Sequence, residues 1–196
     1  ASAPYQLAEP EHFVSMSDYY VALMQYGNAD NQPAGSESCW AASFVVTQDV
    51  DLTTILNGDG WNPIGISGNY YTQFDDHPLP FRGAFDGGGF TISGLRIDTS
   101  EMDVIPDAVG VQGIGFFGYA EGAEIRNVSF ANPTVVIPSA SDDSSEIPGK
   151  VGVIVGWGRS IDFEDVNVSG SVIDVSQPTL SNSIRDVGTV VGLLWY

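Results

Sequence analysis

Basic residues are what this sequence has least of. Its 196 residues include 25 Asp and Glu against 6 Lys and Arg, a formal charge of −19. Charged residues make up 16% of the chain, below the roughly 25% of an ordinary soluble domain. The shortfall falls on the bases, five Arg and the single Lys150. Nucleic acid and anionic membrane demand clustered Lys and Arg to neutralise phosphates, so both are excluded as partners. Cations, neutral glycans and basic protein surfaces stay open. One cysteine, Cys39, excludes an internal disulfide and any Cys-based zinc cluster; beside Trp40 it reads as a small buried hydrophobe. Only two histidines exist, His12 and His77, and each reads as a solvated surface residue rather than a catalytic base. No apolar run approaches the roughly 18 residues of a membrane span, and no basic-then-apolar leader opens the chain. The metalloprotease, hydrolase-elbow and phosphate-loop patterns are missing too. At 43% hydrophobic residues, the chain nevertheless has the material for a core.

What is present is strand chemistry. The chain has 21 Val and 14 Ile against 9 Leu, punctuated by 23 Gly and 11 Pro. β-Branched side chains suit a pleated, half-buried surface and are mediocre in helices. One segment differs. From Pro10 to about Gln25, Phe13, Val14, Met16, Tyr20, Val21 and Met24 fall near helical spacing, with Pro10 suited to the first turn and Gly27-Asn28 to the stop. Residues 28–39 are polar and turn-rich, and read as a loop.

An internal repeat carries the fold prediction. Ile92-Ser-Gly-Leu95-Arg-Ile97, Ile125-Arg-Asn-Val128-Ser-Phe130 and Phe163-Glu-Asp-Val166-Asn-Val168 share apolar residues at positions one, four and six. Position three is Gly, Asn or Asp, the residues that tolerate a left-handed backbone. Each hexamer therefore reads as a strand end, a bend and a fresh strand. Short apolar runs end in glycine at Gly115-Phe-Phe-Gly118, Val153-Ile-Val-Gly156 and Thr189-Val-Val-Gly192, with the last glycines 38 and 36 residues apart. Short strands, one-residue bends and a repeat of this length predict a solenoid, with each strand stacked on its equivalent in the next coil. A blade repeat would show hairpin strands and two-residue turns instead. The expected architecture is all-β, a parallel β-helix whose open end is covered by an N-terminal capping α-helix. It is read as one domain, with residues 1–27 forming the N-terminal strand and cap and residues 40–196 the rungs. Because the apolar run Val191–Tyr196 has no polar terminus, a fragment of a longer chain is expected.

These glycine runs, with Val46-Thr-Gln-Asp49-Val-Asp51-Leu52, Trp61-Asn-Pro63-Ile-Gly65 and Phe81-Arg-Gly83-Ala-Phe85-Asp86-Gly-Gly-Gly89, resemble the GLUG-motif family of bacterial secreted and surface proteins. The resemblance covers about residues 4–192 and implies a right-handed parallel β-helix. It transfers no catalytic signature.

Candidate chemistry is sparse. Asp49 and Asp51 alternate with Val50 and Leu52, so both should point outward from one strand and present two carboxylates side by side. A β-helical polysaccharide lyase or hydrolase would need such a pair, or carboxylates holding Ca²⁺. The competing reading is an ordinary polar face or a capped bend. Asp86, before three glycines, reads as a turn-former, and Asn57-Gly58-Asp59-Gly60 as a plain turn. Asp103, Asp107, Asp142 and Asp143 fall in loops inserted at one point of the repeat, so stacking should gather them on one side of the solenoid. No cofactor is required; Ca²⁺ on that ridge is the candidate ion, with solvated loops as the alternative. The charge is thus expected to mark one side of the molecule more than a global adaptation. Tyr70, Tyr71 and Phe74, and Trp157 after Gly156, are the candidate ligand-binding aromatics, since rings stack on sugar faces; core or loop packing competes. The expectation is an extracellular or cell-surface, non-enzymatic adhesion module that binds a glycan or a host or neighbouring-cell surface protein, without membrane insertion. A pectate-lyase-like carbohydrate-active enzyme is the alternative.

Overall fold

A computed structural model describes residues 3–26, 41–54, 60–65, 80–101, 113–137, 150–175 and 186–195. Among them the chain winds as a parallel β-solenoid of about three turns, with one helix near the N-terminus. On one face, β1 (Tyr5–Leu7), β2 (Ser43–Val46), β4 (Ala84–Asp86), β9 (Glu124–Ala131) and β13 (Asp162–Ser169) stack in that order. Beside them β3 (Val50–Asp51) pairs β5 (Thr91–Ser93), which pairs the second half of β9. Three further sheets complete the wall. They comprise β6 (Arg96–Asp98), β10 (Thr134–Ile137) and β14 (Val172–Val175); β7 (Gly113–Ile114), β11 (Lys150–Gly152) and β15 (Asp186–Gly188); and β8 (Phe117–Glu121), β12 (Val155–Arg159) and β16 (Val191–Trp195). Every pairing between these strands is parallel.

The bends explain the sequence pattern. Positive φ falls at Gly122, Asn127 and Asn132 in one coil and at Ser160, Asp165 and Gly170 in the next. Both sets are spaced five residues apart, so the motif apolar–x–bend–apolar–x–apolar occurs three times per coil. Its apolar positions Ala120, Ala123, Ile125, Val128, Phe130 and Val135 are all buried. This periodicity corrects the repeat alignment made from sequence. The second and third hexamers are in register, Ile125 on Phe163 and Val128 on Val166. The first slips by one motif, because Ile92 lies on Phe130 and Ile97 on Val135. The residue stacked on Ile125 in the earlier coil is Phe85. Three equivalent motifs per coil make a pattern match ambiguous by one unit.

Glycine has a second role where β7, β11 and β15 turn back against β8, β12 and β16. A Cβ at Gly156 would sit 2.5 Å from Gly113 C and 2.7 Å from Gly113 Cα, and one at Gly192 would lie 2.6 Å from Gly156 O and Val151 N. The partner atoms are backbone, so only glycine allows the two sheets to meet this closely. The turn between β7 and β8 drives Phe116 into the core. There it stacks on Trp61 at 4.5 Å and meets Phe85, Phe117 and Phe130 edgewise or tilted within 5.5 Å. Trp61 Nε1 donates to the Phe116 carbonyl at 3.0 Å, which satisfies the buried indole.

The predicted cap is α1 (Pro10–Tyr26). It buries Phe13 and Met16 in the core, with the Phe13 ring edge-on to Phe116 at 6.3 Å, and Ser17 Oγ donates to the Asn62 carbonyl at 2.8 Å. The side chains of Tyr20, Val21 and Met24 lie outside those described. At the opposite end Phe163, Val166, Val168, Ile173 and Leu194 continue the inner column but are only partly buried, since among the described residues no coil packs beyond β13–β16.

Candidate functional site

Counting from the glycine that ends each apolar run places side chains in columns on the β8–β12–β16 sheet. Gly118, Gly156 and Gly192 are equivalent, so Tyr119, Trp157 and Leu193 form one column and Glu121, Arg159 and Trp195 another. Strand alternation sets both columns on the face opposite buried Ala120, where Tyr119 is itself only 5% exposed. Tyr119 and Trp157 lie 4.9 Å apart with their rings tilted by 35°, and Lys150 Nζ stands 4.5 Å over the Trp157 ring. Trp157 is half-buried, and its Nε1 is buried without a hydrogen-bond partner among the described residues.

Beside the rings runs a ladder of alternating charge. Glu121 accepts from Arg82 Nη2 at 2.7 Å and from Arg159 Nη1 at 3.1 Å, so one carboxylate orients two guanidinium groups. Arg82 adds a second bond through Nε at 3.2 Å. Burial holds the Tyr119 phenol above its ordinary pKa, with the Glu121 carboxylate adding to the rise while Arg159 and Arg82 oppose it. All four groups therefore belong to one cluster. Trp195, in register with Arg159, is 59% exposed.

The outward carboxylates have structural partners. Asp51 is exposed between buried Val50 and Leu52, as predicted, but its Oδ1 accepts from Thr53 Oγ1 at 2.7 Å and Thr53 N at 3.0 Å. Those bonds from Thr53, hydroxyl first, hold its pKa below the ordinary value. Asp49 Oδ1 accepts from Thr91 N of the next coil at 2.8 Å. Asp86 is the turn-former expected, accepting from Gly88 N at 2.9 Å, and it also binds Arg126 Nε at 2.9 Å and Asn127 Nδ2 at 3.1 Å. Burial alone would raise its pKa; the three hydrogen bonds outweigh that and lower it. Buried Asp98 accepts from Arg96 Nη2 at 2.7 Å and from Ser100.

The remaining candidates are divided by where they fall. Tyr70, Tyr71, Phe74, His77, Asp103, Asp107, Asp142 and Asp143 lie outside the described residues, as does Cys39. The strands that bracket the two acidic segments do stack, β6 on β10 and β7 on β11. No group of three or more metal-ligating side chains occurs among the described residues. His12 Nδ1 accepts from the Ala8 and Glu9 amides at the start of α1. Sequence reasoning missed Arg82, Tyr119, Glu121, Lys150, Arg159 and Trp195. The signal lay in the glycine runs, because positions one and three after the last glycine share a face.

The chain is similar to part of one very large protein. Over 136 residues it is 33% identical to halomucin of Haloquadratum walsbyi, which covers 67% of this chain and 1% of halomucin. No family model and no solved structure matches the chain. No helix among the described residues is long and apolar enough to cross a membrane.

Proposed function

We propose that the chain is a non-enzymatic β-helical binding module of an extracellular or cell-surface protein, with a glycan or a surface protein as its ligand. The observation that carries this reading is the strip formed by the exposed Trp195 and half-buried Trp157, the latter packed on buried Tyr119, beside the exposed Arg82 and Arg159, a combination suited to contact and not to bond cleavage. The bonding of Asp49 and Asp51 supports it as well. An acid–base pair needs carboxylates free to exchange protons with substrate, whereas these two hold backbone and hydroxyl donors. Resemblance to the GLUG-motif family and similarity to halomucin support the surface location. A calcium-binding ridge of Asp103, Asp107, Asp142 and Asp143 stays part of the proposal; a rise in Tm on millimolar Ca²⁺ is expected if it binds, and an unchanged Tm removes it.

The test is to incubate the purified chain with neutral and acidic polysaccharides, with and without Ca²⁺. Retention and newly formed chain ends are measured together. Retention without new ends is the expected result. Turnover abolished by Asp49→Asn or Asp51→Asn would establish the enzyme instead.

A further inference from the structure

The strip reverses the charge of the chain around it. Arg82 and Arg159 are two of the six bases in a chain of net charge −19, and both bond the single carboxylate of Glu121. A guanidinium carries five N–H donors. Arg82 uses Nε and Nη2 on Glu121, and Arg159 uses Nη1 on the same carboxylate and a further bond to Tyr119. Donors are left over on both, and their side chains are 46% and 60% exposed. Glu121 already fixes where they point, so a ligand would meet preoriented donors at reduced entropic cost.

We infer that this strip binds an acidic glycan, a sugar chain bearing carboxylates. Arg82 and Arg159 donate to a uronate carboxylate, and the exposed Trp195 ring, one register step from Arg159, carries a sugar face. The inference rests on the binding-module reading and names its ligand class. Whole-chain charge had pointed toward cations and neutral sugars. At about 0.15 M salt, however, charges further than about 8 Å are largely screened, so contact is governed by the strip itself. The exposed Trp195 ring favours a sugar over an acidic peptide, which would use the arginines alone.

The experiment compares polygalacturonate, its methyl-esterified form and poly-glutamate, binding to the full chain in 0.15 M salt with EDTA. Parent chain, Arg159→Gln, Arg159→Lys and Trp195→Ala are measured by calorimetry, with new chain ends assayed in parallel. Polygalacturonate should bind. Arg159→Gln and Trp195→Ala should each weaken it about tenfold, with Arg159→Lys recovering only part, because lysine lacks the planar fork. Equal binding by Arg159→Gln, or no binding by the parent, overturns the inference. Equal binding of the methyl-esterified polymer also overturns it but leaves a glycan-binding module standing. Poly-glutamate bound as tightly as polygalacturonate points to a protein ligand and overturns it too. Release of new chain ends overturns the module reading itself, whatever Arg159 does.

Discussion

Replacing Gly156 by alanine adds one methyl group and probes a close backbone approach between neighbouring coils. The new Cβ would lie 2.5 Å from Gly113 C and 2.7 Å from Gly113 Cα, and nearer still to Ile114 N. Those atoms belong to β7, one coil away, and β7 is itself hydrogen-bonded to β11. Neither side can swing aside as a flexible side chain would. Overpacking costs about 1–3 kcal/mol where side chains can adjust, so a clash with three backbone atoms belongs at the top, about 3 kcal/mol. At about 2–4 °C per kcal/mol for a chain of this size, Tm should fall by about 6–12 °C. Gly122→Ala is the matched control. It has nothing within 4 Å but sits at φ +62°, so it carries only the left-handed penalty of about 1–2 kcal/mol. Gly122→Asn should cost less, since Asn127 and Asn132 occupy the equivalent bends at φ 51° and 52°. Calorimetric melting of the parent and these three variants orders them. Gly156→Ala melting within about 2 °C of the parent, or above Gly122→Ala, would refute the close-packed glycine seam.

Other expectations follow from the same geometry. Phe116→Ala removes the ring at the centre of the aromatic cluster and should cost about 3–5 kcal/mol, read from the denaturant midpoint at unchanged slope. Asp51 and Asp86 both have folded pKa values below the ordinary 3.8, so their contribution is present above that pH and is lost as pH falls through the folded values. Stability should hold down to about pH 5 and decline below about pH 4, and Asp86→Asn should flatten that decline; an unaltered acid profile in the variant would contradict the assignment. Added salt screens the self-repulsion of a −19 chain but also weakens exposed ion pairs such as Arg126–Asp86, each worth at most about 1 kcal/mol. Repulsion should dominate, so Tm should rise between 0.01 and 0.5 M NaCl, and a fall would show the ladders to be the stronger term.

Much of the fold was legible because β-solenoids write their bends into the sequence. Asn127 and Asp165 stood out as bend residues, and both adopt positive φ. Gly118, Gly156 and Gly192 aligned correctly because backbone contact forbids any side chain there. Ser160 could not be read as a bend, since serine has no strong preference for that conformation, yet it turns at φ 51° in register with Gly122 of the neighbouring coil. The register of Ile92 failed for the reason already given, three equivalent motifs per coil. The site was less visible still. Trp157 was identified from its position after Gly156, but its partner Tyr119 lies 38 positions earlier in the sequence, and Arg82 lies 39 positions before the Glu121 it bonds, so both meet their partners only through coil stacking. Asp49 and Asp51 alternate outward as a catalytic pair would, yet Thr91 and Thr53, which hold them, carry no sequence mark of that role.

Hydrogen–deuterium exchange of the full chain, with and without polygalacturonate, bears most directly on the claim that the β8–β12–β16 face is the binding surface. Protection on binding should concentrate in Phe117–Glu121, Val155–Arg159 and Val191–Trp195, with β9 and β13 on the adjoining face unchanged. Protection confined to β9 and β13, or to the strands flanking the acidic loops, would contradict it.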